Sequence, residues 1–146
     1  MQNKLTKLQA YNVMLFFLEE FYEKDESQYL GDILSNSEFW TNGLTADRGS
    51  WSDWKKAICI TVLQDKKIQN QNRFTALQAC NVMFNYINNY VSYYKIKPDY
   101  LIDLLEILQN LCDGKNQEMW QKWLKIVDKV IDMPDPRYYL EFVKFN

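Results

Sequence analysis

Five carboxylates crowd one short stretch of this chain: Glu19, Glu20, Glu23, Asp25 and Glu26. A carboxylate pair can share acid and base work, and an acidic face can draw in a basic partner. The rest of the composition narrows that choice. The 146 residues contain no histidine, which removes the commonest general base and the commonest metal ligand. There is no C-x-x-C, no Gly-rich phosphate loop and no H-E-x-x-H, and without histidine no Ser or Cys triad of the usual kind can be built. The cysteines, Cys59, Cys80 and Cys112, are odd in number and widely spaced. Three buried thiols are expected, rather than a disulfide framework or a zinc site. The expectation is therefore a protein that is not an enzyme and that uses no metal and no cofactor. A carboxylate-based enzyme is the catalytic alternative, and it would need acids converging in a pocket with raised pKa.

Charge points toward a protein partner. Net charge is −2, and Lys55-Lys56 and Lys66-Lys67 are short pairs rather than a basic stripe, so direct nucleic-acid binding is not expected. Residues 1–50 carry eight acids and four bases, residues 51–71 two and four, and residues 72–146 nine of each. The acidic excess thus belongs to the first third of the chain. Such a field speeds association with a basic protein; an ordinary solvated face is the bland alternative. The apolar run Val13 to Leu18 is closed by Glu19 and Glu20 with no small-residue cleavage site, so no leader and no membrane span are expected, and the cytoplasm is the expected compartment.

The elements that must position these residues are written twice. Residues 2–14 read QNKLTKLQAYNVM and residues 71–83 read QNRFTALQACNVM, identical at nine of thirteen positions. At the same offset of 69, Trp51 and Trp54 map onto Trp120 and Trp123. Between these anchors Tyr29 to Leu34 matches Tyr100 to Leu105 at an offset of 71, and the slip is recovered where Asn42-Gly43 meets Asp113-Gly114. Two anchors at one offset with a compensated slip between them read as an internal duplication. The repeats span about residues 2–64 and 71–133 of a single domain, 1–146, with a C-terminal extension over 134–146.

Each repeat reads as three helices. The first opens on a T-x-x-Q capping box, Thr6 with Gln9 and Thr75 with Gln78, in which the Thr oxygen accepts from the N3 amide and the Gln returns the bond. Leu5 and Phe74 stand at the hydrophobic-staple position. Behind each box the apolar positions cover most of the helix circumference, so a central buried helix is expected. Its narrow polar stripe holds Gln9, Asn12, Glu19, Glu20 and Glu23 in the first copy, and Gln78, Asn81, Asn85, Asn88, Asn89 and Ser92 in the second. The short second helix covers about 29–36, or 99–110 with Pro98 at its start. In the third helix Trp51 and Trp54, or Trp120 and Trp123, share a face and read as core anchors tying it to the first. Asp135 with Pro136 starts a short closing helix, or a terminal strand. The expected fold is an all-α bundle of about seven helices, two three-helix units packed about a pseudo-twofold.

The stretch TNGLTADRGSWSDW, residues 41–54, resembles a T-A-D-P-x-x-W-x-D-W pattern of small α-helical bacterial proteins, the immunity proteins of contact-dependent growth inhibition and related polymorphic toxin systems. Thr45, Ala46, Asp47, Trp51, Asp53 and Trp54 carry the match, with Tyr29 to Leu34 upstream; the second copy keeps Trp120 and Trp123. Arg48 stands where the pattern has proline. Physically, Asp47 would cap the third helix with residue 48 at N1, and Ser50 with Asp53 offers a competing capping box. The motif therefore reads as architectural.

The resemblance implies a cytoplasmic protein that binds the toxin domain of a cognate effector and blocks it. Many such toxins are nucleases with basic clefts, which an acidic surface would complement. On that reading Glu19, Glu20, Glu23, Asp25 and Glu26 steer the partner, and Phe16, on the polar stripe where the second copy has Asn85, makes apolar contact or packs against the other half. The alternative function is a helical protein–protein interaction module or regulator subunit unrelated to toxins.

Overall fold

In a computed structural model, residues 4–25, 28–38, 45–68, 72–94 and 97–135 are described, the side chains of 23–25 and 28 aside. Among the described residues the chain forms six helices: α1 (Lys7–Asp25), α2 (Gln28–Ser37), α3 (Arg48–Gln64), α4 (Ala76–Ser92), α5 (Asp99–Cys112) and α6 (Gln117–Ile131). The closing helix expected from Asp135 onward falls largely outside the described residues.

Both T-x-x-Q boxes form. Thr6 N–H donates to Gln9 Oε1 at 2.8 Å and Gln9 N–H to Thr6 Oγ1 at 3.1 Å; the Thr75–Gln78 pair does the same at 2.9 and 3.1 Å. Two orphan donors at each helix start are thereby satisfied by side chains three positions apart in the turn. The residues just before the boxes pair with each other. Leu5 and Phe74 form an antiparallel bridge, with N–H···O bonds of 2.7 and 2.8 Å, and both side chains are fully buried. These two residues are themselves 69 apart, so the bridge joins equivalent points of the two halves.

Helix packing interlocks the halves. Within each half the first helix packs on the second, but α3 lies against α4 and α6 against α1. Each third helix thus covers the first helix of the opposite half. It stays tied to its own first helix through one bond: Trp54 Nε1–H donates to the Lys7 carbonyl at 3.2 Å, and Trp123 Nε1–H to the Ala76 carbonyl at 2.9 Å. Both indoles are fully buried, while Trp51 and Trp120 are partly buried and pack on the core. Burial of a Trp is stable where its N–H finds a partner, and here a carbonyl in the first turn of a helix accepts it with its second lone pair.

α1 is buried over Ala10 to Leu15 without a break, as a helix sandwiched between α2, α4 and α6 must be. Only part of the polar stripe reaches the surface: Glu20, Asn88 and Ser92 are exposed, while Asn12 and Asn85 are buried. Asn12 is fully buried and bonds back to the Leu8 carbonyl at 2.7 Å. Asn85 is buried too, donating to Thr61 Oγ1 at 2.8 Å and Gln64 Oε1 at 3.0 Å on α3. The reason is the interlock: α3 covers the side of α4 that periodicity within one half leaves open. At the start of α3 Asp47 is the cap, with its carboxylate accepting from Gly49 N–H at 2.8 Å. Ser50 does not form the competing box; its hydroxyl donates to the Asn36 carbonyl at 3.0 Å.

Candidate functional site

The motif residues sit at a corner where α2 ends and α3 begins. Ala46 N–H donates to the Glu38 carbonyl at 2.9 Å and Asp47 N–H to the Asn36 carbonyl at 2.8 Å. Thr45 is buried and turns its hydroxyl onto the Asp47 carbonyl. This corner walls a cleft of about 180 Å³. Ile33, Asn36 and Ser37 of α2 line one side, Asp47, Ser50 and Asp53 of α3 another, and Tyr86, Asn89, Tyr90 and Tyr93 of α4 the third. A volume on the order of 150 Å³ accepts a benzene ring, so the cleft has room for the end of one large side chain.

Buried hydroxyls make its floor. Tyr11 O–H donates to the Ser37 carbonyl at 2.6 Å, and Ser37 Oγ lies 3.0 Å from Tyr86 Oη. Burial pushes the phenol of Tyr86 above its usual range. Burial, and then the Tyr94 hydroxyl 3.0 Å away, does the same for Tyr90. Both therefore stay neutral at physiological pH and offer π faces and hydroxyls. The charges of the lining are Asp47 and Asp53, both acidic. Lys56 approaches Asp53 at 3.9 Å from outside, an exposed i,i+3 contact of the kind that neutralises little in water. One Asp47 oxygen is bonded to the helix start, and two carboxylates beside aromatic faces can hold a cationic group.

A second, smaller pocket of about 30 Å³ is lined by Phe17, Glu20, Phe21, Met119 and Lys122. Each of these residues lies 69 positions from one that lines the cleft: Tyr86, Asn89, Tyr90, Ser50 and Asp53. The two pockets are thus lined by residues that match at one sequence offset. The larger is hydroxyl-rich and acidic. In the smaller, phenylalanines replace tyrosines, methionine replaces serine, and the lining holds one acid, Glu20, and one base, Lys122.

The residues expected from sequence to bind a partner are thus divided. Glu20 is exposed at the small pocket beside Lys122, and Glu19 is half-buried. Phe16 is partly buried against the core, with Lys129 Nζ 4.5 Å from its ring centroid, a cation–π contact to the opposite half. The side chains of Glu23, Asp25 and Glu26 lie outside the described residues. Of the cleft residues, Asn89 lies on the second copy's polar stripe, and Tyr86, Tyr90 and Tyr93 fall with it in the stretch 85–95 that diverges from 16–26; Asn36 and Ser37 carried no signal in the sequence.

Of the three cysteines, Cys59 is exposed, Cys80 buried and Cys112 intermediate, so Cys59 departs from the expectation of three buried thiols. Among the described residues no group of three or more His, Cys, Asp or Glu is placed to hold a metal ion, and no helix is long and apolar enough to cross a membrane. No protein-family model, curated protein or solved structure matches the chain.

Proposed function

We propose that this chain is an immunity protein that binds and neutralises a basic toxin domain, of the nucleic-acid-cleaving kind, in the cytoplasm. The observation that carries the reading is the difference between two pockets lined at one sequence offset: the small one has phenylalanines, a methionine and a Glu20 and Lys122 of opposite charge, and the larger cleft has two aspartates beside neutral tyrosines. The fold gains nothing in packing by leaving that cleft open, so its chemistry is best explained by an occupant. Two carboxylates beside aromatic faces suit a guanidinium or ammonium group, which a nuclease surface supplies in quantity. The resemblance of residues 45–54 to immunity proteins supports the same reading, because that stretch builds the corner on which the cleft stands. Glu19, Glu20, Glu23, Asp25 and Glu26 then act at longer range by steering the encounter, with Phe16 beside them. The two halves are proposed to descend from one duplicated three-helix unit, with a seventh helix in the C-terminal extension.

The test pairs the chain with the toxic C-terminal domain of a large secreted protein encoded by a neighbouring reading frame. Co-expression should protect growth. Asp53→Lys, which gives the cleft the charge its counterpart already has, should weaken binding at least ~10-fold, since close interfacial charge pairs are worth ~1.5 kcal/mol or more. Lys122→Asp should leave affinity unchanged, and Glu19→Lys with Glu20→Lys and Glu23→Lys should slow association and flatten its salt dependence. Undiminished protection by Asp53→Lys removes the cleft from the interface. Binding to a basic protein without protection from any toxin would instead favour a regulatory interaction module.

A further inference from the structure

The sulfurs of Cys80 and Cys112 lie 2.7 Å apart. Cys80 is fully buried on α4, and Cys112 is the last residue of α5, partly open to solvent. The third cysteine, Cys59, is exposed on α3.

The place of this pair in the fold gives it meaning. Sixty-nine positions before Cys80 stands Tyr11. Tyr11 reaches across from α1 and bonds the carbonyl of Ser37, the last residue of α2, at 2.6 Å. In the first half, then, this position fastens the first helix to the end of the second. In the second half the same position carries a thiol that meets a thiol at the end of α5. The geometry points to a reversible oxidation site: Cys80 and Cys112 close to a disulfide that fastens α4 to the end of α5, where the first half uses a tyrosine hydrogen bond. A disulfide needs its sulfurs about 2.05 Å apart, and these face each other with no side chain to displace between them.

The chemistry balances with glutathione disulfide as the oxidant. The Cys112 thiol, accessible at the helix end, loses its proton, attacks one sulfur of glutathione disulfide and expels one glutathione thiolate. Cys80 then loses its proton and attacks the Cys112 sulfur, expelling the second glutathione. Two protein thiols give up two protons and two electrons, and one glutathione disulfide becomes two glutathiones. The order of attack follows from access and from acidity. The adjoining Cys112 thiol, and then burial, hold Cys80 above the usual thiol range, which makes it a poor first nucleophile and suits it to resolve an adduct already in contact.

The full-length reduced chain is incubated with glutathione disulfide, quenched by alkylation and mapped by mass spectrometry. The expected product is monomeric, carries an intramolecular Cys80–Cys112 link with loss of about 2 Da, and melts roughly 5 to 10 °C higher than the reduced chain. Cys59→Ser should give the same link. Cys80→Ser should stop at a stable glutathione adduct on Cys112, and Cys112→Ser should leave Cys80 unmodified in the folded chain, with helicity checked by circular dichroism. A link through Cys59, a lasting glutathione adduct on Cys112 of the unmutated chain, or both thiols remaining reduced in excess oxidant would overturn the assignment. None of these outcomes depends on the identity of a binding partner.

Discussion

Two phenols at the centre of the molecule set its response to alkaline pH. Burial, and then the neighbouring Tyr86, hold Tyr11 above the usual tyrosine value of 10.0; burial does the same for Tyr86. In the unfolded chain both ionise near pH 10, whereas in the folded chain they keep their protons. The unfolded state therefore binds fewer protons above that pH, and unfolding is favoured as pH rises. The stability these groups contribute is fully present below about pH 9 and is lost progressively above about pH 10. A series of thermal melts should be level from neutrality to about pH 8, begin to fall as the Cys80 thiol ionises in the unfolded chain, and fall more steeply above about pH 10, with tyrosinate absorbance appearing on unfolding. Tyr11→Phe should cost ~1 kcal/mol at neutral pH, from the lost bond to Ser37, and should shallow the alkaline fall. An equally steep fall in Tyr11→Phe would assign the transition to other groups.

At the scale of elements, the first helices were the most legible part of the chain. Thr6, Gln9, Thr75 and Gln78 specify their own hydrogen bonds with partners three residues away, and no distant contact competes. Replacing Thr6 or Thr75 by Ala should destabilise the protein by ~1 kcal/mol each, and nearly alike, because the two boxes match in geometry; urea titrations would resolve a difference of twofold. The Trp pair was also legible, as period and size marked core anchors. What periodicity could not supply was the partner of each third helix. A stripe identifies which side of a helix is covered, not by what, so α3 reads as packed within its own half when it lies on α4. The same blindness misplaced Asn85, which looks solvated on a helical wheel and is buried by the opposite half. The cleft was hidden for a related reason: Asn36, Asp53 and Tyr90 belong to three helices, and only the interlock brings them together. The acidic run drew attention because it is contiguous in sequence, whereas Asp47 and Asp53 are dilute there and concentrated in space.

The whole molecule is an exchange of helices between halves, and this fixes what unit can fold. Each half alone would expose the side of its first helix that the other half's third helix covers, together with Leu5 or Phe74, whose backbone partner lies across the bridge. A piece of that size is marginal even with a complete core, and here the core is shared. Expressed as separate peptides divided after Ile68, the two halves should each show little cooperative unfolding. Mixed in equal amounts they should recover helicity and a concentration-dependent melting transition, since folding is then coupled to association. Leu5→Asp, which places a charge in a fully buried pair, should abolish recovery in the mixture and strongly destabilise the intact chain. If either half folds cooperatively by itself, the exchanged packing is a docking of two finished units rather than a single core. The two pockets follow from the same exchange, because each is walled by helices of both halves. They differ in lining and size: the smaller has Phe17, Phe21 and Met119 where the larger has Tyr86, Tyr90 and Ser50. Filling the cleft by Ser50→Met with Tyr90→Phe should cost ~1 kcal/mol or more of stability through the lost bonds to Asn36 and Tyr94 while lowering affinity for a basic partner. A variant that binds as before would show that the cleft does not serve recognition.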